Sequence, residues 1–241
     1  MSEELCRTEW LLGKLAMERL RCARVAVFGI GGVGGYTAEA LARSGVGKLD
    51  LVDRDVVSPS NLNRQIIALH STIGRSKVEV MRERILDINP EAQVRAWQLF
   101  YLPETAGQFD LRQYDYIVDA VDTVTAKLEL AVRAQEAGVP LISCMGAGNK
   151  LDPTGFRVAD IEETFGCPLA RVMRRELRKR GISRLKVVFS PEPPRKPQAE
   201  PEAIGSQKEE EGRHSPGSIA FVPSVAGLVA AGAVIRDLAD V

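Results

Sequence analysis

The sequence predicts an α/β fold on a doubly wound, mostly parallel sheet, and three observations carry that expectation. Residues 24–28 (R-V-A-V-F) form a short apolar run, followed at once by Gly29, Gly31 and Gly34 in G-x-G-x-x-G spacing, with Gly32 and Gly35 added. Residues 36–44 (Y-T-A-E-A-L-A-R-S) favour a helix that Gly45 stops, and a second apolar run, 49–52, ends on Asp53. Strand, glycine turn, helix, strand and terminal acid make the mononucleotide-binding βαβ unit. Its glycines let the backbone turn sharply and approach a phosphate, while the helix N-terminus supplies N–H donors and a positive dipole end. Downstream, apolar runs and helical patterns keep alternating, with acids and glycines where the runs end, as in a parallel sheet.

Taken in order, residues 7–21 read as an amphipathic N-terminal helix, broken or bent near Gly13. A polar loop, 53–65, follows the βαβ unit. Ser76-Lys77-Val78-Glu79 fits a capping box and opens a helix that runs to Asn89 and stops at Pro90. Residues 93–100 read as a strand, and 116–121 as a buried strand ending at Asp122. A helix from about Thr125 to Ala137 stops at Gly138, and 140–144 is the next strand. Beyond Gly146 the pattern loosens, with strands at 156–158 and 185–189 around a basic helix, 168–180.

Residues 190–216 are rich in Pro, Glu and Lys and nearly free of apolar side chains. Such a segment buries too little surface to offset its ordering entropy, which predicts a mobile loop. It reads as a loop inside a single domain, 1–241, because the apolar segment after it, 217–241, is too short to fold alone. Residues 219–235 carry no charge, but Pro223 interrupts them and a spanning helix needs about 20 apolar residues. A helix buried against the sheet is the preferred reading, and membrane association the disfavoured one.

The length, 241 residues, suits one α/β domain. Lysine plus arginine (32) equals aspartate plus glutamate (32), so net charge points to no polyanionic partner; the local distribution is a separate matter. Cys6, Cys22, Cys144 and Cys167 are scattered without a C-x-x-C pair, against a tetrathiolate zinc site and a disulfide framework. Cys144 reads as packing and Cys167 as a loop cysteine with no catalytic role. The first ten residues hold no apolar signal core, so the cytoplasm is the expected compartment.

The loop after Asp53 separates the nucleotide readings. A dinucleotide dehydrogenase needs little there, whereas here Asp53 is followed by Asp55, Asn61, Arg64 and Gln65, then by Lys77 at the next helix start. Two cations beside a phosphate site suit a triphosphate whose charge is neutralised while a nucleophile attacks the α-phosphate. Asp122, at the tip of another parallel strand, would face the same crevice and could hold magnesium, which prefers oxygen ligands. Arg171, Arg174, Arg175 and Arg178 lie at i, i+3, i+4 and i+7 and share one helix face. A charge run is usually a solvated face, but a one-sided cationic stripe in a neutral chain is a candidate contact for a nucleic-acid backbone.

V-F-G-I-G-G-V-G, D-R-D-V-V-S-P-S-N-L-N-R-Q, G-R-S-K-V-E and D-A-V-D, within residues 7–146, resemble the ubiquitin-activating-enzyme-like adenylating family, which includes activators of sulfur-carrier proteins. The segments 146–155, 160–182, 187–192 and 216–228 resemble the branch of that family that dehydrates threonylcarbamoyladenosine in tRNA. The resemblance implies a Rossmann-like ATP-binding fold. Gly31 and Asp53 would bind the adenosine side, with Asp53 on the ribose hydroxyls. Asn61, Arg64 and Lys77 would hold the phosphates and Asp122 magnesium, with Gly29, Gly32, Gly34, Asp55 and Gln65 completing the nucleotide site. Arg7 matches a position from which relatives send an arginine into the partner subunit's ATP site, implying a homodimer.

The implied reaction activates the threonyl carboxylate at tRNA position 37 as an acyl-adenylate. The neighbouring ureido oxygen then closes an oxazolone ring and AMP leaves. The implied partners are tRNA, along Arg171, Arg174, Arg175 and Arg178, and a second copy of the chain, with sulfur-transfer proteins as further candidates. Some relatives carry a cysteine before the last helix where this chain has Ser215 and Pro216, so a covalent cysteine step is not expected there. The alternative is adenylation of the C-terminal glycine of a ubiquitin-like sulfur carrier, against which the missing zinc cysteines count. A non-catalytic nucleotide-binding protein and an NAD-dependent oxidoreductase are the more distant alternatives.

Overall fold

The computed structural model describes residues 3–196, 198 and 216–241. Gly13, at φ +85°, splits the N-terminal helix into α1 (Cys6–Leu12) and α2 (Lys14–Cys22), the break the sequence predicts. The chain then alternates through β1 (Arg24–Phe28), α3 (Gly34–Arg43), β2 (Lys48–Val52), α4 (Lys77–Ile88) and β3 (Gln93–Trp97). A one-turn α5 (Pro103–Ala106) leads to β4 (Tyr116–Asp119), α6 (Val124–Ala137) and β5 (Leu141–Cys144). The last part holds β6 (Arg157–Asp160), α7 (Pro168–Arg178), β7 (Lys186–Phe189) and α8 (Phe221–Ala239).

The strands form one seven-stranded sheet in the order β3-β2-β1-β4-β5-β7-β6. Only the β6–β7 pair is antiparallel. From β1 the chain moves outward to β2 and β3, then returns to the other side of β1 at β4. That reversal is a topological switch point, and open α/β sheets bind ligands in the crevice beyond the strand carboxyl ends there. Phe28 pairs with Val52 on one side and Asp119 on the other, so Gly29, Asp53 and Ala120 emerge together at that edge. Helices cover both faces, which is why the central strands are apolar on both. Leu41, Met81 and Val234 of α3, α4 and α8 pack with Val25 and Val27 on one face; Leu130 and Met173 of α6 and α7 pack with Phe28 on the other.

Helix α8 is long and apolar enough, by length and composition, to cross a bilayer. Here Val222, Ala226, Ala230 and Val234 are buried instead, and the Thr37 hydroxyl donates to the Gly227 carbonyl at 3.0 Å, tying α8 to α3. Pro223 falls in its first turn, where no intrahelical N–H is needed.

The structure departs from the sequence reading in particular places. The strand read at 93–100 ends at Trp97, because the Leu99 N–H folds back onto the Trp97 carbonyl (2.8 Å). The strand read at 116–121 ends at Asp119, whose carboxylate accepts from the Val121 N–H (3.2 Å) and turns the chain. Asp122 therefore lies in a loop three residues past the strand, not at its tip. The capping box at Ser76 does not form: its hydroxyl is buried without a hydrogen-bond partner. The start of α4 is held by backbone instead, Lys77 N–H to the Asp55 carbonyl (3.1 Å) and Val57 N–H to the Arg75 carbonyl (2.8 Å). The basic helix stops at Arg178, two residues early. Most of the loop read at 190–216, including Ser215, lies outside the described residues.

Candidate nucleotide-binding site

Strand β1 delivers the chain to Gly29 in the left-handed region, φ +88°, where a Cβ would press on the Ala120 carbonyl at 2.7 Å. A side chain at Gly34 would collide with the Gly29 carbonyl oxygen. The turn therefore closes tightly against the loop after β4. No side chain caps the N-terminus of α3, and although the Gly35 N–H is already paired with the Gly31 carbonyl (3.0 Å), a helix start of this kind suits an anion. At Gly31 the space is open: the nearest atom to an added Cβ is Gln65 Nε2, at 3.9 Å. Gln65 is buried and its Oε1 has no hydrogen-bond partner. Buried polar atoms are rarely left so, and an open cradle beside an orphaned acceptor fits a polar ligand with a donor group.

Asp53, at the end of β2, accepts from the Ile30 N–H (2.7 Å) with one oxygen and from the Asp55 N–H (2.8 Å) with the other. Burial raises its carboxyl above the ordinary 3.8, against the opposing pull of Lys77. Lys77, 5% exposed, donates its ammonium to Asp55 at 2.9 Å. The structure thus gathers the glycine turn, Asp53, Asp55, Gln65 and Lys77. Gly32 faces Pro223, whose ring at 3.2 Å would crowd an added Cβ, and Arg64, whose side chain lies in ordinary contact at 3.5 Å.

Other predicted residues are engaged with partners of their own or lie exposed. The Asn61 carboxamide accepts from the Ser58 N–H (3.1 Å) and shapes its own turn. The Arg64 guanidinium donates to the Ser60 carbonyl (2.8 Å) and to Asn63 (2.9 Å), and burial lowers its pKa. Asp122 is exposed on the loop whose Ala120 abuts Gly29. Arg7 is exposed on α1, outside this cluster. On α7, Arg171, Arg175 and Arg178 are exposed, but Arg174 is not part of that stripe. Its guanidinium donates to Ile161 O (3.2 Å), Thr164 O (2.8 Å) and Thr164 Oγ1 (2.5 Å), bracing the turn ahead of the helix.

Sequence reasoning missed two devices. Lys127, 1% exposed, donates to both Asp119 oxygens (3.1 Å each) and to the Cys144 carbonyl (2.7 Å), while the Ser143 hydroxyl donates to Asp119 (2.5 Å). This network braces the ends of β4 and β5 beneath the crevice. Its sequence signal was a lysine set among Ala126, Leu128, Leu130 and Ala131. Asn149, at φ +58°, exchanges hydrogen bonds with Gly217 (2.7 Å each way) and accepts from the Arg195 N–H (2.7 Å). Asn63 donates to the Ser218 carbonyl (2.9 Å), so residues 216–218 are strapped between two loops of this edge.

The four cysteines are free, and burial pushes the Cys144 thiol up to about 12, which removes it as a nucleophile near neutral pH.

Comparison with known proteins gives the family. The Bacillus subtilis (strain 168) tRNA threonylcarbamoyladenosine dehydratase is 47% identical over 246 residues, spanning 99% of this chain and 95% of that protein. The Escherichia coli (strain K12) tRNA threonylcarbamoyladenosine dehydratase is 42% identical over 171 residues, 71% of this chain and 64% of its own length. The crystal structure of the E. coli tRNA N6-threonylcarbamoyladenosine dehydratase in complex with ATP matches with a TM-score of 0.87 and 34% identity, across 98% of this chain and 93% of that one. The model of the ThiF family matches residues 6–241, and the chain belongs to that family.

Proposed function

We propose that this chain uses ATP to adenylate the threonyl carboxylate of threonylcarbamoyladenosine at tRNA position 37. The neighbouring ureido oxygen then attacks the activated carbonyl, a ring closes and AMP leaves. One observation carries the reading: an open glycine cradle bordered by the orphaned Gln65 acceptor, Asp53 and the Lys77–Asp55 pair, at a switch point. The chain that holds it is similar, over nearly its whole length, to a dehydratase solved with ATP.

In this scheme Gly31 and Asp53 hold the adenosine, with the Asp53 carboxylate accepting from the ribose hydroxyls. Asn61, Arg64 and Lys77 hold the phosphates. Arg64 and Lys77 would exchange their present partners, Ser60, Asn63 and Asp55, for phosphate oxygens, a charge-assisted replacement. Magnesium is held by one or two carboxylates together with substrate phosphates, and the exposed Asp122 fits that donor set. When bound, the ion neutralises charge on the departing pyrophosphate. No enzyme thioester is needed, since a tethered nucleophile acts at an effective molarity of roughly 10⁵–10⁸ M. The working unit is a homodimer in which Arg7 reaches the partner's site, and tRNA is the second substrate.

Pyrophosphate exchange tests the scheme. Exchange and AMP release stimulated by threonylcarbamoyladenosine-bearing tRNA, with loss of one water from the nucleoside by mass spectrometry, is the expected result. Exchange that requires a small carrier protein, or a crevice that prefers NAD, overturns it.

A further inference from the structure

We propose that Phe165, with Arg157 over its ring and the exposed arginines of α7 beyond it, is an RNA-docking surface. A base of the anticodon loop beside the reacting one stacks on Phe165, and the backbone phosphates run down α7. The proposal rests on the tRNA reading above and adds the surface that holds the substrate.

Phe165 is 58% exposed, although it sits in a firmly built turn. Thr164 before it donates its hydroxyl to the Ile161 carbonyl (2.7 Å) and receives two hydrogen bonds from Arg174. Gly166 after it, at φ +71°, lies against the Pro191 backbone. The ring meets Phe189 edge-on at 5.8 Å, and the Arg157 guanidinium lies 5.5 Å from the Phe165 centroid and 5.7 Å from that of Phe189. An aromatic face held out to solvent beside a guanidinium plane suits an unstacked base, which binds by stacking on both kinds of group.

The position agrees. Phe189 is the last residue of β7, so the platform lies at the sheet edge that carries Gly29 and Asp53. β7 is two strands from β4, about 10 Å at ~4.8 Å per strand. Helix α7 begins there too, with Leu169 against Gly146 just past β5. Arg171, Arg175 and Arg178 then descend the helix over about 10 Å. Residues 168–184 hold seven Lys and Arg against one acid, Glu176, in a chain of zero net charge. Glu176 is shared by Arg175, Lys179 and Arg180, and Glu162 pairs with Arg178, so the stripe keeps excess positive charge.

The test is affinity for a modified anticodon stem-loop RNA, read by fluorescence anisotropy on the full chain. Phe165→Leu keeps an apolar side chain but loses the π-face, and should weaken binding at least about fivefold, as losing one stacked base does. Phe165→Trp should bind as wild type, and ATP affinity and melting temperature should stay unchanged in both. Arg171→Ala should lower the slope of log affinity against log salt by about 0.7, the single-strand value for one phosphate contact. Equal affinities for wild type, Phe165→Leu and Phe165→Trp overturn the proposal. If Phe165→Leu loses affinity but the wild type releases no AMP with modified tRNA, the reaction scheme falls and the RNA surface stands. A wild type that binds no RNA sinks both.

Discussion

At the scale of single residues, the contrast between two lysines is instructive. Lys127 is fixed by Asp119 and the Cys144 carbonyl inside the sheet edge and has nothing left to give. Lys77 is almost as buried, yet its anchor is Asp55, an exposed carboxylate at the crevice. A phosphate can displace that anchor without leaving a charge stranded, because Asp55 is free to turn to water. Removing one such donor from a phosphoryl-transfer site typically costs 10²-fold or more. Lys77→Ala should therefore cut pyrophosphate exchange by at least about a hundredfold while the far-ultraviolet dichroism stays native. Retained turnover would take Lys77 out of the phosphate site. Lys77→Arg should not rescue, since the planar fork of arginine replaces a point charge poorly.

At the scale of elements, α3 and α4 matter because their N-termini carry the glycine turn and Lys77. Glu39 of α3 clamps them, accepting from Arg84 of α4 (2.5 and 3.1 Å) and from Arg43 (2.7 Å). Burial opposes ionisation of Glu39, but the Arg84 and Arg43 hydrogen bonds outweigh it and hold the carboxyl below the ordinary 4.5. A carboxyl held low in the folded state contributes stability above its unfolded pKa and loses it as pH falls through the folded one. Glu39→Gln should thus cost about 2 kcal/mol in denaturant melts near neutral pH. The gap to wild type should narrow once pH drops below 4.5; a gap constant with pH would refute the clamp. Glycines, propensity and period agree along β1, α3 and β2, which made those elements and the break at Gly13 legible from sequence. The ends of β3 and β4 were not, since Leu99 and Asp119 decide them through hydrogen bonds that no periodicity encodes. Ser76 matched a capping pattern, but the backbone pairing of Val56 with Ser76 took over its role. In the site, Asp53, Asp55, Gln65 and Lys77 were readable because one segment, from the end of β2 to the first residue of α4, holds them in order. Asn149 was not, its side-chain partner Gly217 being 68 residues away.

At the scale of the whole molecule, the N-terminal helices do not look finished. Trp10, Leu11 and Leu15 are 78%, 84% and 65% exposed on one short stretch, next to the exposed Arg7. Scattered apolar residues need no explanation, but three large ones together mark an interaction surface. In the homodimer proposed above a second copy of the chain would cover it, as most oligomers of soluble proteins are symmetric and zero net charge imposes no repulsion. An isologous dimer of this kind would let α1 of each protomer lie against the other, with Arg7 carried across. The arrangement makes a prediction about mixtures. Arg7→Ala and Lys77→Ala should each be inactive alone. In a mixed dimer, the site with intact Lys77 receives Arg7 from the subunit that lacks Lys77, so one complete site reappears. With random exchange of subunits, roughly a quarter of all sites should recover, since half the dimers are mixed and each restores one of two. Activity measured after co-refolding equal amounts of the two variants reads this directly. No recovery, with mixed dimers demonstrated by differently tagged subunits, would mean that Arg7 serves its own subunit or none.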